Sequence, residues 1–414
     1  MIRSVRIRGF RSIVDQVFEP GSFNVLIGAN GSGKSAILEA LGVLGAALEG
    51  RVNDNSLQRR GVRLSAPEQY ASAFPVSDED AAARDIELSA RFANGTSHEY
   101  TVRLAPPPSD AEFEPGAWRF DAEFLHDQAG HPLILRARDA AAFHLLENDW
   151  NQRLYEIEKV SSMAAMFRHL GEPGARDVQP LFDTLRRFVI YDPQTPVLRG
   201  TIQDVTQQDP IGLQGGRLAE AVKAVLSAES VGAVPREAIT EWIDWASDLR
   251  VVASSEVRVS PSVPVTPEVL RFTDRFLDAA KNTLSGYDAS EGALYVLFAL
   301  VLVFHPRTPP FFAVEHLDHA LHPRLAKRLV ATLADHAAAR GKQIILTTHN
   351  PLVLDGLDLA NDAVRLFAVD RSVVGHTLLQ RIQYTDALKK AQEHGLTLSQ
   401  MWVRGLLGAV PEIV

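Results

Sequence analysis

The fold is decided by one stretch of sequence, Gly28-Ala29-Asn30-Gly31-Ser32-Gly33-Lys34-Ser35, which matches the pattern GxxxxGK[ST]. An apolar run, Phe23–Ile27, precedes it, and a helical pattern from Ser35 to Leu48 follows it. The glycines let consecutive backbone N–H groups converge on phosphate oxygens, and the helix adds the positive end of its dipole. The stretch therefore predicts a nucleoside triphosphate site whose binding residues are Gly28, Asn30, Gly31, Ser32, Gly33, Lys34 and Ser35.

A triphosphate site of this kind also predicts a Mg²⁺ ion. Lys34 is expected to reach the β- and γ-phosphates, and the Ser35 hydroxyl is expected to bind the metal. An acidic ligand is needed at the end of a neighbouring strand, and Glu315 directly follows the apolar run Phe311–Val314. The sequence therefore predicts ATP and Mg²⁺ as cofactors, with Ser35 and Glu315 on the metal.

The remaining patterns place this site in an α/β fold. Two apolar strands, Phe311–Val314 and Gln343–Thr347, flank a helical segment from Arg324 to Ala339, and such alternation predicts a parallel sheet covered by helices. Alternation with period two on both sides of Asn94-Gly95 predicts a β-hairpin. Residues 51–85 are expected to be a polar surface excursion. Helices are expected over 138–187, 215–249, 268–284 and 291–304.

The expected organisation is an ATPase head with two additions, an antiparallel β subdomain and a helical insert. Prolines 261, 264 and 267 mark a stiff connector before the last part of the head. The expected parts are a P-loop N-terminal lobe (1–85), the antiparallel β subdomain (86–137), the largely helical insert (138–260) and a C-terminal ATPase lobe (261–414).

Composition and charge restrict the function classes. The 414 residues include no cysteine, which excludes disulfides and thiolate metal sites and fits a reducing cytosol. The N-terminus lacks the apolar stretch of a signal peptide, and the run 293–304 is shorter than the roughly 20 residues that span a bilayer. We therefore expect a cytoplasmic protein without a membrane segment. The formal net charge is −9, so nucleic acid is a partner that the charge does not indicate.

Several short segments occur in a characteristic order. Ser290-Glu291-Gly292 precedes an apolar helix, His322-Pro323 follows the acidic strand end, and His349 ends the next strand. Together with Gly9-Phe10-Arg11-Ser12 near the N-terminus, this set resembles the RecF/SMC/OLD-type branch of ABC ATPases. The resemblance covers the two ends of the chain well and its middle poorly.

The resemblance implies a dimer in which two chains enclose two ATP molecules. Ser290, Glu291 and Gly292 would form a signature that contacts the γ-phosphate held by the partner subunit, since the N–H groups at a helix start suit an anion. His349 would be the switch histidine, and Arg11 would touch the α-phosphate. The expected partner is therefore a second copy of this chain, as a dimer or within a higher oligomer.

The chain departs from the family's pattern directly after Glu315, where His316 replaces the glutamate that polarises the attacking water. A positioned general base raises the rate roughly 10²–10⁴-fold. An imidazole has an ordinary pKa near 6.5, so as a general base it differs from a carboxylate. Three interpretations stay open: His316 acts as a weaker base, hydrolysis is very slow and the ATP-bound dimer persists, or another acid such as Asp318 takes over. We predict the second, with Glu315, His316 and His349 as the candidate catalytic residues of a slow ATPase.

The middle of the chain separates the candidate functions. It shows no sustained heptads, so we expect no SMC-type arms, and the short segment after His349 leads us to expect no Toprim nuclease of the OLD type. The leading interpretation is an ATP-dependent switch for a separately encoded effector, a nuclease or toxin, as in ATPase subunits of bacterial anti-phage defence systems. The alternatives are a RecF-type ATPase of DNA repair or chromosome maintenance and a transporter's nucleotide-binding subunit. Asp192-Pro193 is either a contact loop of the site or a plain strand-ending turn.

Overall fold

The computed structural model describes residues 1–74, 85–94, 96–105, 116–137, 140–142, 160–167, 173–227, 236–264 and 266–409. The helix that follows the phosphate-binding stretch, α1 (Lys34–Glu49), lies between a parallel sheet and an antiparallel sheet. A third, smaller sheet packs with further helices on the opposite face of the parallel sheet. This layered arrangement is the α/β fold that the sequence predicts.

The parallel sheet has five parallel strands and one antiparallel edge strand. Its inner strands are runs of buried, mostly apolar residues, because helices or another sheet cover both faces. Alternate residues serve opposite faces, so Val25 joins the cluster around α8 (Glu291–Phe304) and Leu26 joins the cluster around α1. In order across the sheet, the strands are β16 (Thr377–Ile382), β15 (Val364–Arg371), β3 (Phe23–Ile27), β14 (Gln343–Thr347), β13 (Phe311–Val314) and β9 (Ile190–Tyr191).

The second sheet is antiparallel and has seven strands. The third and fourth strands in its order pair with each other on either side of residue 95, which confirms the predicted hairpin. The sheet also takes in two N-terminal strands, so it extends beyond the expected limits 86–137. In order across the sheet, the strands are β2 (Ile13–Phe18), β1 (Ile2–Phe10), β4 (Ile86–Asn94), β5 (Thr96–Ala105), β6 (Arg119–His126), β7 (Pro132–Ala137) and β8 (Ala140–Ala142).

The third sheet shows that one helix prediction is wrong. Residues 268–284 contain the strands β11 (Glu268–Asp274) and β12 (Thr283–Ser285). Strand β11 pairs antiparallel with β10 (Ala246–Ala253), which begins inside the helical span predicted for 215–249. The apolar residues of β11 fit either period over so short a run, and pairing with a strand outside that window decided between them.

The helix predictions nearest the candidate site are confirmed. Helix α8 is buried along nearly its whole length, and α9 (Pro323–Ala339) packs in the same core cluster. The span predicted as helical over 138–187 falls partly on 143–159 and 168–172, outside the described residues, and it contains β8. Within the described ranges, no helix is long and apolar enough to cross a membrane. The other helices are α2 (Asp54–Gln58), α3 (Met163–Phe167), α4 (Pro173–Arg186), α5 (Thr195–Leu198), α6 (Leu218–Leu226), α7 (Arg236–Thr240), α10 (Asp386–Glu393) and α11 (Leu398–Val403).

Candidate nucleotide site

The site forms where the parallel strands end at one edge of the sheet. Strand β3 leads into Gly28, β13 into Glu315, β14 into Thr348 and β9 into Asp192. The register brings these ends level, because β13 pairs with both β9 and β14, and β14 pairs with β3. A cavity of about 680 Å³ opens there. The predicted site residues that line it are Arg11, Asn30, Gly31, Gly33, Lys34, Ser35, Glu315, His316 and His349.

Lys34 is the buried cation of the cavity. It is 7% exposed, and its ammonium group donates hydrogen bonds to Gly28 O at 2.8 Å and to Ala29 O at 3.0 Å. Burial lowers the pKa of Lys34 from 10.5 to about 8, and the Coulombic attraction of Glu315 opposes this shift. Phosphate oxygens would stabilise the buried charge better than two neutral carbonyls do. Lys34 therefore fits its predicted role on a triphosphate.

Ser35 and Glu315, the predicted metal ligands, are in contact. The Ser35 hydroxyl donates a hydrogen bond to Glu315 Oε1 at 2.6 Å. Burial raises the pKa of Glu315, and the hydrogen bond from Ser35 opposes this shift. A hydroxyl, a carboxylate and phosphate oxygens are the hard oxygen donors that Mg²⁺ takes beside a nucleotide. The pair therefore fits an ion that would neutralise phosphate charge.

Two residues from the C-terminal lobe hold the phosphate-binding loop, and sequence reasoning missed both. The Thr377 hydroxyl donates a hydrogen bond to Ser32 O at 2.9 Å, and a Cβ on Gly33 would lie 2.1 Å from Thr377 Oγ1. Gly33 also has φ 113°, a conformation that favours glycine. Arg371 Nε donates to Gly31 O at 2.9 Å. Because these partners are 340 or more residues apart in sequence, no local motif marks them.

His316 lies at the cavity in a hydrogen-bonded pair with Asp192. Its Nδ1 atom is 3.0 Å from Asp192 Oδ1, and this hydrogen bond raises the pKa of His316 against the opposing effect of burial. The backbone of His316 has φ 57°, which is uncommon for a residue with a side chain. The segment Asp192-Pro193 thus contacts the site through His316, which favours the contact loop over the plain strand-ending turn. Sequence reasoning did not join these two residues.

His349 and Asp318 are placed differently around the end of β14. His349 lines the cavity, and burial, followed by the charge of Lys34, lowers its pKa. Asp318 is 8% exposed, accepts a hydrogen bond from the Thr348 hydroxyl at 2.8 Å, and has a pKa raised by burial. Asp318 is absent from the described residues that line the cavity. This geometry argues against the interpretation that Asp318 replaces the missing glutamate.

One wall of the cavity corrects the expectation that residues 51–85 form only a surface excursion. Arg63 and Phe74, from that span, line the cavity together with Arg11. Glu39 on α1 is 2% exposed, and its carboxylate lies 2.5 Å from Arg11 Nε and 2.7 Å from Arg63 Nε. Arg11 is therefore beside the cavity, and its contact with the α-phosphate stays a prediction. The polar composition of the span gave no signal for this contact, since it depends on α1.

The signature segment Ser290–Gly292 lies apart from this cavity. Ser290 is exposed and occupies the N-cap position of α8, and no signature residue is among the described residues that line the cavity. The Glu291 carboxylate accepts a hydrogen bond from the Thr195 hydroxyl, which fixes the start of α8 to α5. Within one chain, the fold thus gathers most of the predicted site residues and leaves the signature outside.

Comparison with known proteins finds a matching family, a relative that shares part of the sequence, and solved structures with a similar fold. Residues 23–355 match the family described as "AAA domain, putative AbiEii toxin, Type IV TA system". The DNA replication and repair protein RecF of Edwardsiella ictaluri (strain 93-146) is 35% identical over 191 residues, 39% of this chain and 53% of that protein. The chain thus spans about half the length of this relative.

Two solved structures are similar over nearly the whole chain. The SMC head bound to the C-winged helix domain of ScpA has a TM-score of 0.52 at 14% identity, with 94% of this chain and 99% of that chain covered. The Smc head domain with an extended coiled coil from Pyrococcus furiosus has a TM-score of 0.49 at 15% identity, with 95% and 99% covered. At 14% identity, the similarity to the SMC head bound to ScpA shows a shared fold alone.

The phosphate-binding loop and the facing carboxylate form a P-loop nucleotide site, and the fold that carries them is similar to that of an SMC head. The predicted fold class is therefore confirmed. Since the family match covers most of the sequence, the chain belongs to the AAA_21 family of AAA domains.

Proposed function

We propose that this ATPase is a switch that closes as a homodimer over two nucleotides. One observation carries the proposal: Lys34 and Glu315 line the nucleotide cavity, while Ser290 is exposed outside it. A triphosphate bound to Lys34 would therefore meet the Ser290 hydroxyl of a second chain. A site divided in this way is complete only when two chains face each other.

The two halves of the divided site suit the two sides of a triphosphate. The loop N–H groups and Lys34 bind the phosphates, and Ser35 with Glu315 would hold Mg²⁺, which supplies charge neutralisation when bound. In the first turn of α8, the Ala293 N–H donates to Ser290 O at 3.1 Å, while the N–H groups of Glu291 and Gly292 precede the first bond of the helix. The helix dipole is also positive at this end. The start of α8 therefore attracts the γ-phosphate bound to the partner. ATP favours the dimer because it adds contacts in that state only.

We also propose that hydrolysis is slow, so that the ATP-bound dimer is long-lived. His316 occupies the position of the usual glutamate, and its Nδ1 atom is engaged by Asp192, which leaves Nε2 for other contacts. Loss of a positioned carboxylate base costs roughly 10²–10⁴ in rate. The weaker-base interpretation uses the same pair, because a carboxylate on one nitrogen orients an imidazole whose other nitrogen takes a proton.

Turnover of a variant with the usual glutamate tests this step. In His316→Glu the new carboxylate would face Asp192, so the combination with Asp192→Asn removes the added like charge. We expect the double variant to hydrolyse ATP at least about tenfold faster than wild type, and Asp192→Asn alone is its control. Wild-type turnover equal to or faster than that of the double variant would contradict slow hydrolysis.

We propose a separately encoded nuclease or toxin as the effector, in anti-phage defence. The family's description names a putative toxin of a type IV TA system, which supports a role for this chain in a toxin-linked system. The match to RecF favours a second candidate, an ATPase of DNA repair or chromosome maintenance that acts on DNA directly. The net charge of −9 favours the protein effector. ATP-dependent binding of duplex DNA at low salt, lost in Lys34→Ala, would favour the second candidate.

Assembly in solution tests the switch itself. Sedimentation of the wild-type chain with and without ATP and Mg²⁺ should show a nucleotide-dependent dimer. Lys34→Ala should lose it because ATP no longer binds, and Ser290→Arg should lose it while keeping ATP binding. If both variants assemble like wild type with ATP, the divided-site proposal fails.

A further inference from the structure

We infer that Trp245 is a positioning residue for the signature serine, an inference that rests on the proposed ATP-enclosing dimer. The indole Nε1–H donates a hydrogen bond to Ser290 Oγ at 3.2 Å, from 45 residues upstream. A serine at the N-cap position ordinarily accepts a hydrogen bond from an N–H group of the first helical turn. Within the described residues, the Ser290 hydroxyl makes no such capping bond to α8. The indole is its donor instead.

Trp245 is anchored for this role by the three-stranded sheet. Its ring packs on Phe272 with centroids 5.2 Å apart, and Phe272 is 0% exposed in the core cluster that contains α8. The Trp245 carbonyl accepts a hydrogen bond from the Arg275 amide at 2.9 Å. The Arg275 guanidinium also donates to Ala246 O at 2.7 Å. The indole is therefore held from both its ring and its backbone, so its N–H keeps a fixed direction.

The indole bond changes what the start of α8 can offer a ligand. A serine hydroxyl has one proton to donate and two lone pairs, and an indole can only donate, so Ser290 keeps its proton for another acceptor. The Ala293 N–H donates to Ser290 O. Because the hydroxyl is held by Trp245, it does not cover the N–H groups of Glu291 and Gly292. Both the hydroxyl proton and these N–H groups are then open to one anionic oxygen, which in the proposed dimer belongs to the partner's γ-phosphate.

The variant Trp245→Phe removes the N–H donor and keeps an aromatic ring on Phe272. A single hydrogen bond is worth about threefold to tenfold in an equilibrium constant, and the dimer contains two such sites. We expect ATP-dependent dimerisation to weaken by roughly tenfold to 100-fold, with ATP binding to the single chain unchanged. Trp242→Phe is the matched control, because Trp242 stacks with the Arg328 guanidinium at 4.3 Å and should leave dimerisation as in wild type.

A double variant separates positioning from a merely structural effect. If Trp245 acts through Ser290, then Trp245→Phe should change dimerisation by no more than about twofold when Ser290→Ala is already present. Effects that multiply would overturn the inference, as would wild-type dimerisation of Trp245→Phe. If the wild-type chain forms no ATP-dependent dimer at all, the proposed function fails first, and the inference fails with it.

One further measurement needs no change at Trp245 and covers the case in which its variant does not fold. The chain has five tryptophans, whose indole N–H groups give separate signals after ¹⁵N labelling. Ser290→Ala should shift one of these signals in the ATP-free protein, because the acceptor of the Trp245 N–H is removed. A spectrum in which no indole signal moves would overturn the inference.

Discussion

Lys34 should take up a proton when ATP binds above pH 8. Burial lowers its pKa from 10.5 to about 8, which makes its charged form roughly 3 kcal/mol less favourable than in water, at about 1.4 kcal/mol per pKa unit. Triphosphate oxygens favour the charged form, so bound ATP should raise this pKa toward its ordinary value. The complex then holds a proton that the free protein has lost. ATP affinity should therefore fall by up to about tenfold per pH unit from roughly pH 8 to 10.

Calorimetry in two buffers of different ionisation enthalpy, at about pH 9 and constant salt, measures this uptake directly. The expected value is close to one proton per bound ATP, because the free lysine is then mostly neutral. Lys34→Arg is the control, since a guanidinium stays protonated at this pH and should show no uptake. Equal uptake in both proteins, or none in the wild type, would refute the assignment of the buried cation.

Three further substitutions test other parts of the structure. Gly33→Ala should remove the rise in melting temperature that ATP gives, because its methyl group would lie 2.1 Å from Thr377 Oγ1. A rise in the variant as large as that of the wild type would contradict this. Glu123→Leu should lower the free energy of unfolding, measured in urea, by about 3 kcal/mol or more. The Tyr100 and Ser162 hydroxyls and two backbone amides would lose the Glu123 carboxylate as acceptor. A loss below about 1 kcal/mol would contradict this. The pKa of Lys342 is lowered by burial to about 7, so the unfolded chain binds more protons between that pH and 10.5. Wild-type stability should rise with pH across this window. In Lys342→Met the rise should be absent below about pH 8 and smaller above it, where Lys34 still contributes.

The parts of the site that depend on local sequence were predictable. Glycines, a lysine and a serine at fixed spacing after an apolar strand define the loop at Gly28 without any tertiary information. Glu315 and His349 were found because each ends a short apolar strand, and parallel strands end at one edge of a sheet. The hairpin around Asn94 was found because period-two alternation and a turn sequence agree.

The parts that depend on distant chain segments were not predictable. The helix expected over 268–284 is a strand pair, because pairing with β10 outweighs a short apolar pattern. The bond between Asp192 and His316 needs the register of β9 with β13, which no pattern within either strand specifies. Thr377 reaches the phosphate-binding loop only because β16 follows β15 at the sheet edge.

Mixing two variants that each fail to dimerise alone tests the divided site most directly. Lys34→Ala removes the phosphate-binding half of the site, and Ser290→Arg blocks the signature half. A mixed dimer would contain one complete site, formed by the loop of the second variant and the signature of the first. We predict that the mixture, with distinguishable tags, forms ATP-dependent dimers that neither variant forms alone. A mixture that assembles no better than its separate components would show that the two halves do not meet across chains.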